Sequence, residues 1–472
     1  MERLSGLDAA FLAFETPSAH MQVMAVAVLD PATVPDPAQR EPAAFFERVH
    51  TLLESRLHLV PPLRHRLVEV PFGLHVPMWI EDPDFDLSFH LRRAALPRPG
   101  GPQELAGFVA DVASRPLDRS HPLWESYVVE GLEHGYVAYV AKLHHSLIDG
   151  AAGVEILTAL FDLAPDAPLE SVEPEGEEWT PDRVPSDLEM LGRATAAIGQ
   201  RPLHFMQAAA NLVPGLWRAV RRARADSLDV ALPLTAPRLS MNRTISARRV
   251  VAFSSVSLAE VKSVRRALGL TVNDVVLAIA TGALRTYLER RGELPDKPLI
   301  ASVPTSVRVE NDQGFGNRVS SMFAALPVEI TDPVERAKSV ARFMSGAKQV
   351  HEDVGGSTLH DWAQTAAPIV FSRAMKMYTN LHVGERFRPV INLVISNVPG
   401  PPFPLYFAGA RLMAIHPLGP IFDDCGLNLT VMSYEDHIDF GFIACRELVR
   451  DVGALAAAIP DALTELVKAS VG

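Results

Sequence analysis

The chain has 472 residues, of which 48% are hydrophobic and 21% are charged, and this composition is typical of a folded globular protein. Its formal net charge of −12 argues against nucleic-acid binding, because phosphate neutralisation depends on Lys and Arg. The two cysteines, Cys425 and Cys445, form no CxxC pair and have no histidine at ligand spacing, so the sequence predicts a reducing compartment and no metal site.

The length favours two domains, because one hydrophobic core rarely serves more than about 250–300 residues. The N-terminal segment carries Asp8 and Glu15 and has no apolar core after a basic start, so it does not match a secretory signal. No apolar run reaches the roughly 18 residues that a membrane-spanning helix needs. We expect a cytoplasmic protein, with any membrane contact limited to the surface.

Strand and helix patterns alternate over residues 1–163. The valine-rich segment 21–30 is predicted to form a strand, and the apolar residues of segment 42–57 have helical spacing. Residues 103–114 are predicted to form a second helix. Pro, Gly and Asp separate the remaining strand predictions, which cover residues 64–70, 74–80, 85–91, 125–130 and 136–143.

A change of composition divides the chain after this first region. Between residues 164 and 187 proline and acidic residues dominate and apolar residues are scarce, which is typical of a linker. An alanine-rich helical stretch, 188–226, follows it. We therefore predict an N-terminal domain at 1–163, a linker with connecting helices at 164–235 and a C-terminal domain at 236–472.

The second region repeats the α+β character of the first without a residue-by-residue repeat. It opens with a predicted strand at 249–253, a helix capped by Ser257 and a long helix after Asn273-Asp274. Glu435-Asp436 is predicted to turn between the last two strands. The other predicted elements are strands at 299–307, 319–330, 390–396, 426–434 and 437–444, and helices at 333–351, 357–378 and 452–471.

The segment His144-His145-Ser146-Leu147-Ile148-Asp149-Gly150 follows a predicted strand and precedes a predicted helix, so its histidines lie in a strand-to-helix loop. Histidine has an unperturbed pKa of about 6.5 and is suited to act as a general base. The alternatives are that the histidines are hydrogen-bonded polar residues at a strand end, and that Asp149 only caps the helix. A metal site needs a third and a fourth ligand, and the neighbouring sequence offers none besides Asp149; a serine hydrolase lacks the G-x-S-x-G motif.

The pattern His144-His145-x-x-x-Asp149-Gly150 resembles the active-site signature of acyltransferases related to chloramphenicol acetyltransferase and to nonribosomal-peptide condensation domains. The wider resemblance, over nearly the whole chain, is to the bacterial bifunctional wax ester synthase/diacylglycerol acyltransferase family. Seven other segments carry it: Leu4-Ser5-Gly6-Leu7-Asp8-Ala9-Ala10-Phe11-Leu12, Asp84-Phe85-Asp86-Leu87, Arg119-Ser120-His121-Pro122-Leu123-Trp124-Glu125, Thr271-Val272-Asn273-Asp274-Val275, Val303-Pro304-Thr305-Ser306-Val307-Arg308, Gly316-Asn317-Arg318-Val319-Ser320 and Ser396-Asn397-Val398-Pro399-Gly400-Pro401.

This resemblance implies an α+β fold of two chloramphenicol-acetyltransferase-like domains, each a mixed sheet flanked by helices, with the active-site channel between them. It implies a site that contains His144, His145, Asp149 and Gly150. His145 would deprotonate the acceptor hydroxyl, which attacks the acyl-CoA thioester without an acyl-enzyme, while Asp149 would hold the loop. The implied reaction transfers a long-chain acyl group from acyl-CoA, as co-substrate and with no cofactor, to diacylglycerol or a fatty alcohol.

Further segments offer groups that could bind these substrates. Asn273 and Asp274 begin a helix, where unpaired N–H groups favour negative charge, so they orient the acceptor or the thioester carbonyl, or only cap the helix. Ser396-Asn397 leads from a strand into a proline-rich turn, where its amides contact substrate or shape the turn. Pro122-Leu123-Trp124 lines the acyl channel or belongs to the core. Cys445 stands where relatives often carry an acid, and we assign it no role.

Two questions about partners stay open at this level. The segment 203–224 is apolar at its start and arginine-rich at its end. It either lies on a membrane or lipid-droplet surface or forms an inter-domain helix that Pro214 interrupts, and we favour the helix. The alternatives to an acyl-CoA-dependent enzyme are an acyltransferase that takes its acyl group from a carrier protein and acylates a polyol or polyketide hydroxyl, and a non-catalytic lipid- or CoA-binding module.

Overall fold

The computed structural model of the protein describes residues 2–71, 77–147, 150–169, 183, 189, 235–306, 319–354 and 388–471. The predicted acidic linker, the helical stretch at 188–226 and the helix at 357–378 lie outside the described residues, apart from short edges and single positions. The domain boundaries at 163 and 235 enclose that linker and remain a prediction.

The first sheet is built around the strand that leads into the histidines. β2 (Gln22–Asp30) and β6 (Trp124–Glu130) both pair antiparallel with β7 (Val137–His144), one on each side. β5 (Leu91–Ala95) adds to the outer side of β6 in parallel. β7 is buried along nearly its whole length, which agrees with its almost continuous apolar sequence.

Helices and a small sheet surround this first sheet. Phe45, Val49 and Leu52 lie on the buried face of one helix, as their spacing predicts. Burial of each such side chain stabilises the fold by about 1.5–3 kcal/mol. The described helices of this half are α1 (Gly6–Phe14), α2 (Pro42–Arg56), α3 (Leu87–His90), α4 (Pro102–Ala113) and α5 (Gly150–Leu160). The small antiparallel sheet has β4 (Met78–Glu81) between β1 (Glu2–Arg3) and β3 (His65–Val68).

The second half forms its own six-stranded mixed sheet, which helices cover. Its central strand β11 (Leu393–Val398) runs parallel to both neighbours, β9 (Leu299–Ser306) and β14 (Leu427–Tyr434). The other strands pair antiparallel: β10 (Val319–Leu326) with β9, β15 (His437–Cys445) with β14, and β8 (Arg249–Ser257) with β15. The described helices are α6 (Leu258–Leu268), α7 (Val272–Arg290), α8 (Pro333–Val354) and α9 (Val452–Val471).

A segment of the second half crosses over and completes the sheet of the first half. β12 (Tyr406–Phe407) and β13 (Ala410–Leu418) extend the first sheet, and β13 pairs antiparallel with β2. β13 also packs on β14 and β15 of the second sheet. This packing is so close that a Cβ at Gly441 would lie 2.0 Å from the carbonyl oxygen of Pro417.

Most predicted elements are confirmed with shifts of a few residues at their ends, but the strand predicted at 85–91 is wrong. Asp86 accepts a hydrogen bond from the Ser88 amide at 2.9 Å and thereby caps the short helix α3, so the strand begins only at Leu91. The crossing strands β12 and β13 have no counterpart among the predictions. The long helix α7 begins at Val272, with Thr271 as its cap, rather than at Asn273 or Asp274.

No single helix among the described residues is long and apolar enough to cross a membrane. Of the described helices, only α6 and α7 together have the length and apolar composition of a membrane span, and the two helices meet at a bend of 104°.

Candidate active site

The residues immediately before β2 and β6, the two strands that flank β7, hold the backbone of the histidine loop. His144 is the last residue of β7 and lies opposite Gln22 of β2, and its amide donates to the carbonyl of Leu123 at 2.9 Å. The amide of His145 donates to the carbonyl of Met21 at 2.8 Å. The structure thus confirms the strand-to-helix loop. α5 begins at Gly150, and Asp149 lies outside the described residues.

His144 is fully enclosed and its hydrogen bonds fix its tautomer. The Ser146 amide donates to His144 Nδ1 at 3.1 Å, so Nδ1 carries no proton and the neutral ring is protonated at Nε2. His144 Nε2 lies 3.8 Å from Glu15 Oε2. Burial, with the nearby charge of Arg119, lowers the pKa of His144 to about 3. His144 is therefore neutral near pH 7, and its one unprotonated nitrogen is already hydrogen-bonded.

His145 is half-buried, and its ring has a different environment. The imidazole stacks on Phe11 of α1, with ring centroids 4.1 Å apart and planes inclined by 15°. One face of the ring is thus covered by an aromatic side chain, while the backbone amide is held by Met21, immediately before β2. Both the position and the plane of the imidazole are set by contacts from elements distant in sequence.

A charged pair lies beside this loop. Arg119 donates hydrogen bonds to the Glu15 carboxylate, to the Leu12 carbonyl at 3.3 Å and to Glu69 at 3.0 Å. Burial raises the pKa of Glu15 even though Arg119 opposes that shift. Sequence reasoning assigned no role to Phe11, Glu15 or Arg119, although Phe11 and Arg119 stand in two of the family-like segments.

Pro122, Leu123 and Trp124 are all buried at the start of β6. Trp124 Nε1 donates to the carbonyl of Leu63 at 2.7 Å, and the indole stacks on His90 with centroids 4.5 Å apart. Leu123 touches the histidine loop through its carbonyl, which accepts from His144. The structure therefore places this segment in the core directly next to the site.

The second half brings two predicted residues together, Asn273 and Asn397. Asn397 Nδ2 donates to Asn273 Oδ1 at 3.2 Å, which joins the end of β11 to the first turn of α7. Asp274 is occupied by a reciprocal cap, because Thr271 Oγ1 accepts from the Asp274 amide at 3.1 Å and the Thr271 amide donates to Asp274 Oδ2 at 3.0 Å. Ser396 is half-buried in β11, beside Asn397.

The turn after Asn397 is tightly packed. The Gly400 amide donates to Ser433 Oγ at 3.3 Å, and a Cβ at Gly400 would lie 2.1 Å from the Ser433 carbonyl oxygen. Only glycine fits this approach. Among the described residues no group of three His, Cys, Asp or Glu side chains has the arrangement of a metal site, and Cys425 and Cys445 are buried free thiols.

Comparisons with known proteins agree over the full length of the chain. Residues 4–276 match the wax ester synthase/diacylglycerol acyltransferase catalytic domain, and residues 315–467 match the WS/DGAT C-terminal domain. A Mycobacterium tuberculosis H37Rv protein, provisionally named a diacylglycerol O-acyltransferase, is 37% identical over 471 residues, which cover 100% of this chain and 91% of that protein. A second H37Rv protein with the same provisional name is 36% identical over 96% of this chain and 92% of its own length.

Solved structures support the same assignment. The wax ester synthase/diacylglycerol acyltransferase from Marinobacter aquaeolei VT8 aligns with a TM-score of 0.70 and 28% identity, over 100% of both chains. The starter condensation domain of rhizomide synthetase aligns with a TM-score of 0.57 and 14% identity, over 100% of this chain and 94% of that domain, and so shares the fold. This chain belongs to the wax ester synthase/diacylglycerol acyltransferase family and is an acyltransferase.

Proposed function

We propose that the protein transfers a long-chain acyl group from acyl-CoA to the hydroxyl of diacylglycerol or of a fatty alcohol, with His145 as the general base. It would thus act as a diacylglycerol O-acyltransferase and a long-chain-alcohol O-fatty-acyltransferase. The observation that carries the proposal is the fixed geometry of His145, whose amide is held by Met21 and whose ring is stacked on Phe11.

The chemistry needs one base and a place for two substrates. The imidazole of His145 takes the proton of the acceptor hydroxyl as its oxygen attacks the thioester carbonyl. The tetrahedral intermediate then expels the CoA thiolate, which takes the proton back from the imidazolium. A positioned base contributes about 10²- to 10⁴-fold, and alignment of the two substrates adds effective molarities of about 10⁵ M or more. No acyl-enzyme and no cofactor are required.

In this proposal, neighbouring residues hold the histidine loop, orient the substrates and support the acyl channel. His144 holds the loop in place, because it is neutral and its Nδ1 is engaged by Ser146. Asn273 and Asn397, joined by their amides, would orient the acceptor or the thioester carbonyl, while Asp274 caps α7. Leu123 and Trp124 would support the wall of an acyl channel from the core side. Each buried methylene of the acyl chain would contribute about 0.8 kcal/mol.

The test is a thiol-release assay with purified protein, palmitoyl-CoA and either diacylglycerol or hexadecanol. We expect CoA release that depends on the acceptor, and a loss of at least about a hundredfold in His145→Ala. His50→Ala is the matched control, since His50 lies on the surface of α2, 3.6 Å from Glu54. Acceptor-dependent release that His145→Ala leaves unchanged would reject the base assignment.

Two other outcomes would identify the alternatives. Turnover with an acyl-carrier protein but not with acyl-CoA would indicate a carrier-dependent enzyme, and binding of palmitoyl-CoA without turnover would indicate a binding module. We also propose a cytoplasmic location with peripheral contact at the inner membrane or lipid droplets, where the lipid acceptors are. Flotation with diacylglycerol-containing vesicles tests that contact, and protein that stays in the unbound fraction would contradict it.

A further inference from the structure

We propose that Met21 is a positioning residue for His145, through a left-handed backbone conformation that aims its carbonyl at the His145 amide. The proposal rests on the role of His145 as base. Met21 has φ of 47° and is buried, immediately before β2 begins at Gln22. Its carbonyl accepts from the His145 amide at 2.8 Å.

This conformation is unusual for methionine. Residues with a side chain other than Asn and Asp rarely adopt positive φ, and they keep it only where the surrounding structure holds it. Gln22 lies opposite His144 in the β2–β7 ladder, so Met21 and His145 form the contact immediately beyond the last pair. This contact therefore anchors the backbone of His145 one residue beyond the β2–β7 ladder, and it requires a positive φ that methionine disfavours.

The surroundings of Met21 show what holds it. The preceding turn is closed by Thr16, whose amide donates to the Ala19 carbonyl at 2.9 Å and whose Oγ1 accepts from the Ala19 amide at 3.0 Å. After Met21, the side-chain amide of Gln22 donates to the Arg115 carbonyl at 3.1 Å. Hydrogen bonds before and after Met21 therefore restrict any change in its backbone conformation.

The second half of the chain also reaches this turn. The buried guanidinium of Arg249, at the start of β8, donates to the carbonyl of Ser18, and the Arg249 amide donates to Ser114 Oγ at 2.9 Å. The Met21 side chain itself packs in a cluster that contains residues of both halves, among them Ile245 and Ile443. The turn that precedes Met21 and the side chain of Met21 itself are therefore held by both halves of the molecule.

The position of the His145 backbone matters because a general base must lie within hydrogen-bond reach of the proton it removes. A displacement of about 1 Å at such a site costs up to about a hundredfold in rate. A backbone at Met21 that relaxed to negative φ would turn its carbonyl away from His145. The histidine loop would then lose the contact that anchors the base.

Three substitutions separate the backbone of Met21 from its side chain. Met21→Leu keeps a similar apolar volume and no branch at Cβ, whereas Met21→Ile has the same composition as Leu but a β-branch that disfavours positive φ. Met21→Gly allows the conformation freely but removes the buried side chain. We expect kcat within about threefold of the parent for Leu and Gly, and about tenfold or more lower for Ile, with little change in KM.

Thermal melting of the same proteins should follow a different order from kcat, since Gly leaves a cavity and should melt well below Leu. If kcat follows melting temperature, or if Leu and Ile are equally active, Met21 acts by packing alone and the proposal fails. If Ile does not fold, the comparison of Gly with Leu decides, and a slow Gly variant with a normal Leu variant overturns the proposal.

A double variant tests whether Met21 acts through His145, and it distinguishes a failure of this proposal from a failure of the proposed role of His145. In the His145→Ala background, Met21→Ile should not lower the residual rate further, because a residue that acts through His145 has nothing left to position. A further tenfold loss would show that Met21 acts elsewhere. Full activity of His145→Ala itself would instead reject the proposed role of His145 as the base, whatever the Met21 series shows.

Discussion

The ring of Phe11 lies almost parallel to the imidazole of His145, with centroids 4.1 Å apart, and so defines the plane of the proposed base. Aromatic stacking of this kind contributes about 0.5–1.5 kcal/mol beyond the burial of the rings. We expect Phe11→Leu, which keeps an apolar side chain but no ring, to lower kcat about three- to tenfold. Phe11→Tyr keeps the ring and should stay near the parent rate in the thiol-release assay, and equal losses in both variants would contradict the stacking role.

Removal of Arg119 is expected to make the stability of the protein depend more strongly on pH. Burial raises the pKa of Glu15, so protonated Glu15 is favoured by the fold, and stability declines as pH rises through the folded-state pKa. Arg119 partly offsets this loss. In Arg119→Gln we expect a destabilisation of about 1–3 kcal/mol at pH 8 that shrinks towards pH 4. Urea unfolding at both pH values measures it.

The matched control for that experiment is the double variant Glu15→Gln/Arg119→Gln. It carries no carboxylate at the buried position and should lose the added pH dependence. A single Arg119→Gln variant whose destabilisation is the same at pH 4 and pH 8 would show that Glu15 ionisation is not involved.

His437 provides a second pH-dependent contact, where β15 meets β13. Its ion-pair contact with the buried carboxylate of Asp439, in which His437 Nε2 lies 3.2 Å from Asp439 Oδ2, raises the pKa of His437 to about 9. Asp439 also accepts the backbone amide of Ile415 at 2.8 Å. Because the folded-state pKa of His437 is raised, its contribution is complete below the unfolded-state pKa of about 6.5 and is lost as pH rises through about 9.

We therefore expect His437→Gln to lower the free energy of unfolding by about 1–2 kcal/mol at pH 6 and by much less at pH 10. Chemical denaturation at the two pH values provides the measurement. His134→Asn, at an exposed histidine with φ of 62° that Asn tolerates, serves as the control and should show no such difference. An equal effect of His437→Gln at pH 6 and pH 10 would contradict the charge-dependent contact.

Gly441 is predicted to be indispensable for the contact between the two six-stranded sheets. In Gly441→Ala the new Cβ would meet the Pro417 carbonyl oxygen at 2.0 Å, and both atoms belong to paired strands that cannot move apart freely. We expect a destabilisation of at least about 2 kcal/mol by thermal or chemical unfolding. At Gly107, in α4, an added Cβ would meet no described residue within 4 Å apart from its chain neighbours and its own helix backbone, so Gly107→Ala should instead stabilise the protein by about 0.5–1 kcal/mol.

The local elements of the site could be predicted from the sequence. The apolar run that forms β7, the polar loop after it and the helix beginning at Gly150 all depend on neighbouring residues. Ser257 as a helix cap is confirmed for the same reason, because its hydroxyl accepts from the Glu260 amide three positions later. Local patterns suffice where the partners of a residue are close in sequence.

Contacts between distant segments escaped prediction. Phe11 contacts His145 although more than a hundred residues separate the two in sequence. No local sequence pattern indicates the positive φ of Met21. β13 pairs with β2 across nearly the whole chain, and no short pattern in 410–418 states that partner. The wrong strand at 85–91 has a local cause, since the cap at Asp86 competes with the extended conformation that the apolar residues favour.

The crossing of β13 into the first sheet has a consequence for synthesis on the ribosome. β2 is complete early, but its outer neighbour is made only when residues 410–418 have been translated. Until then β2 is an edge strand with unpaired backbone groups, which can bind other chains. The N-terminal half expressed alone would carry this open edge permanently, so we expect it to aggregate unless a peptide of sequence 406–418 is supplied in trans.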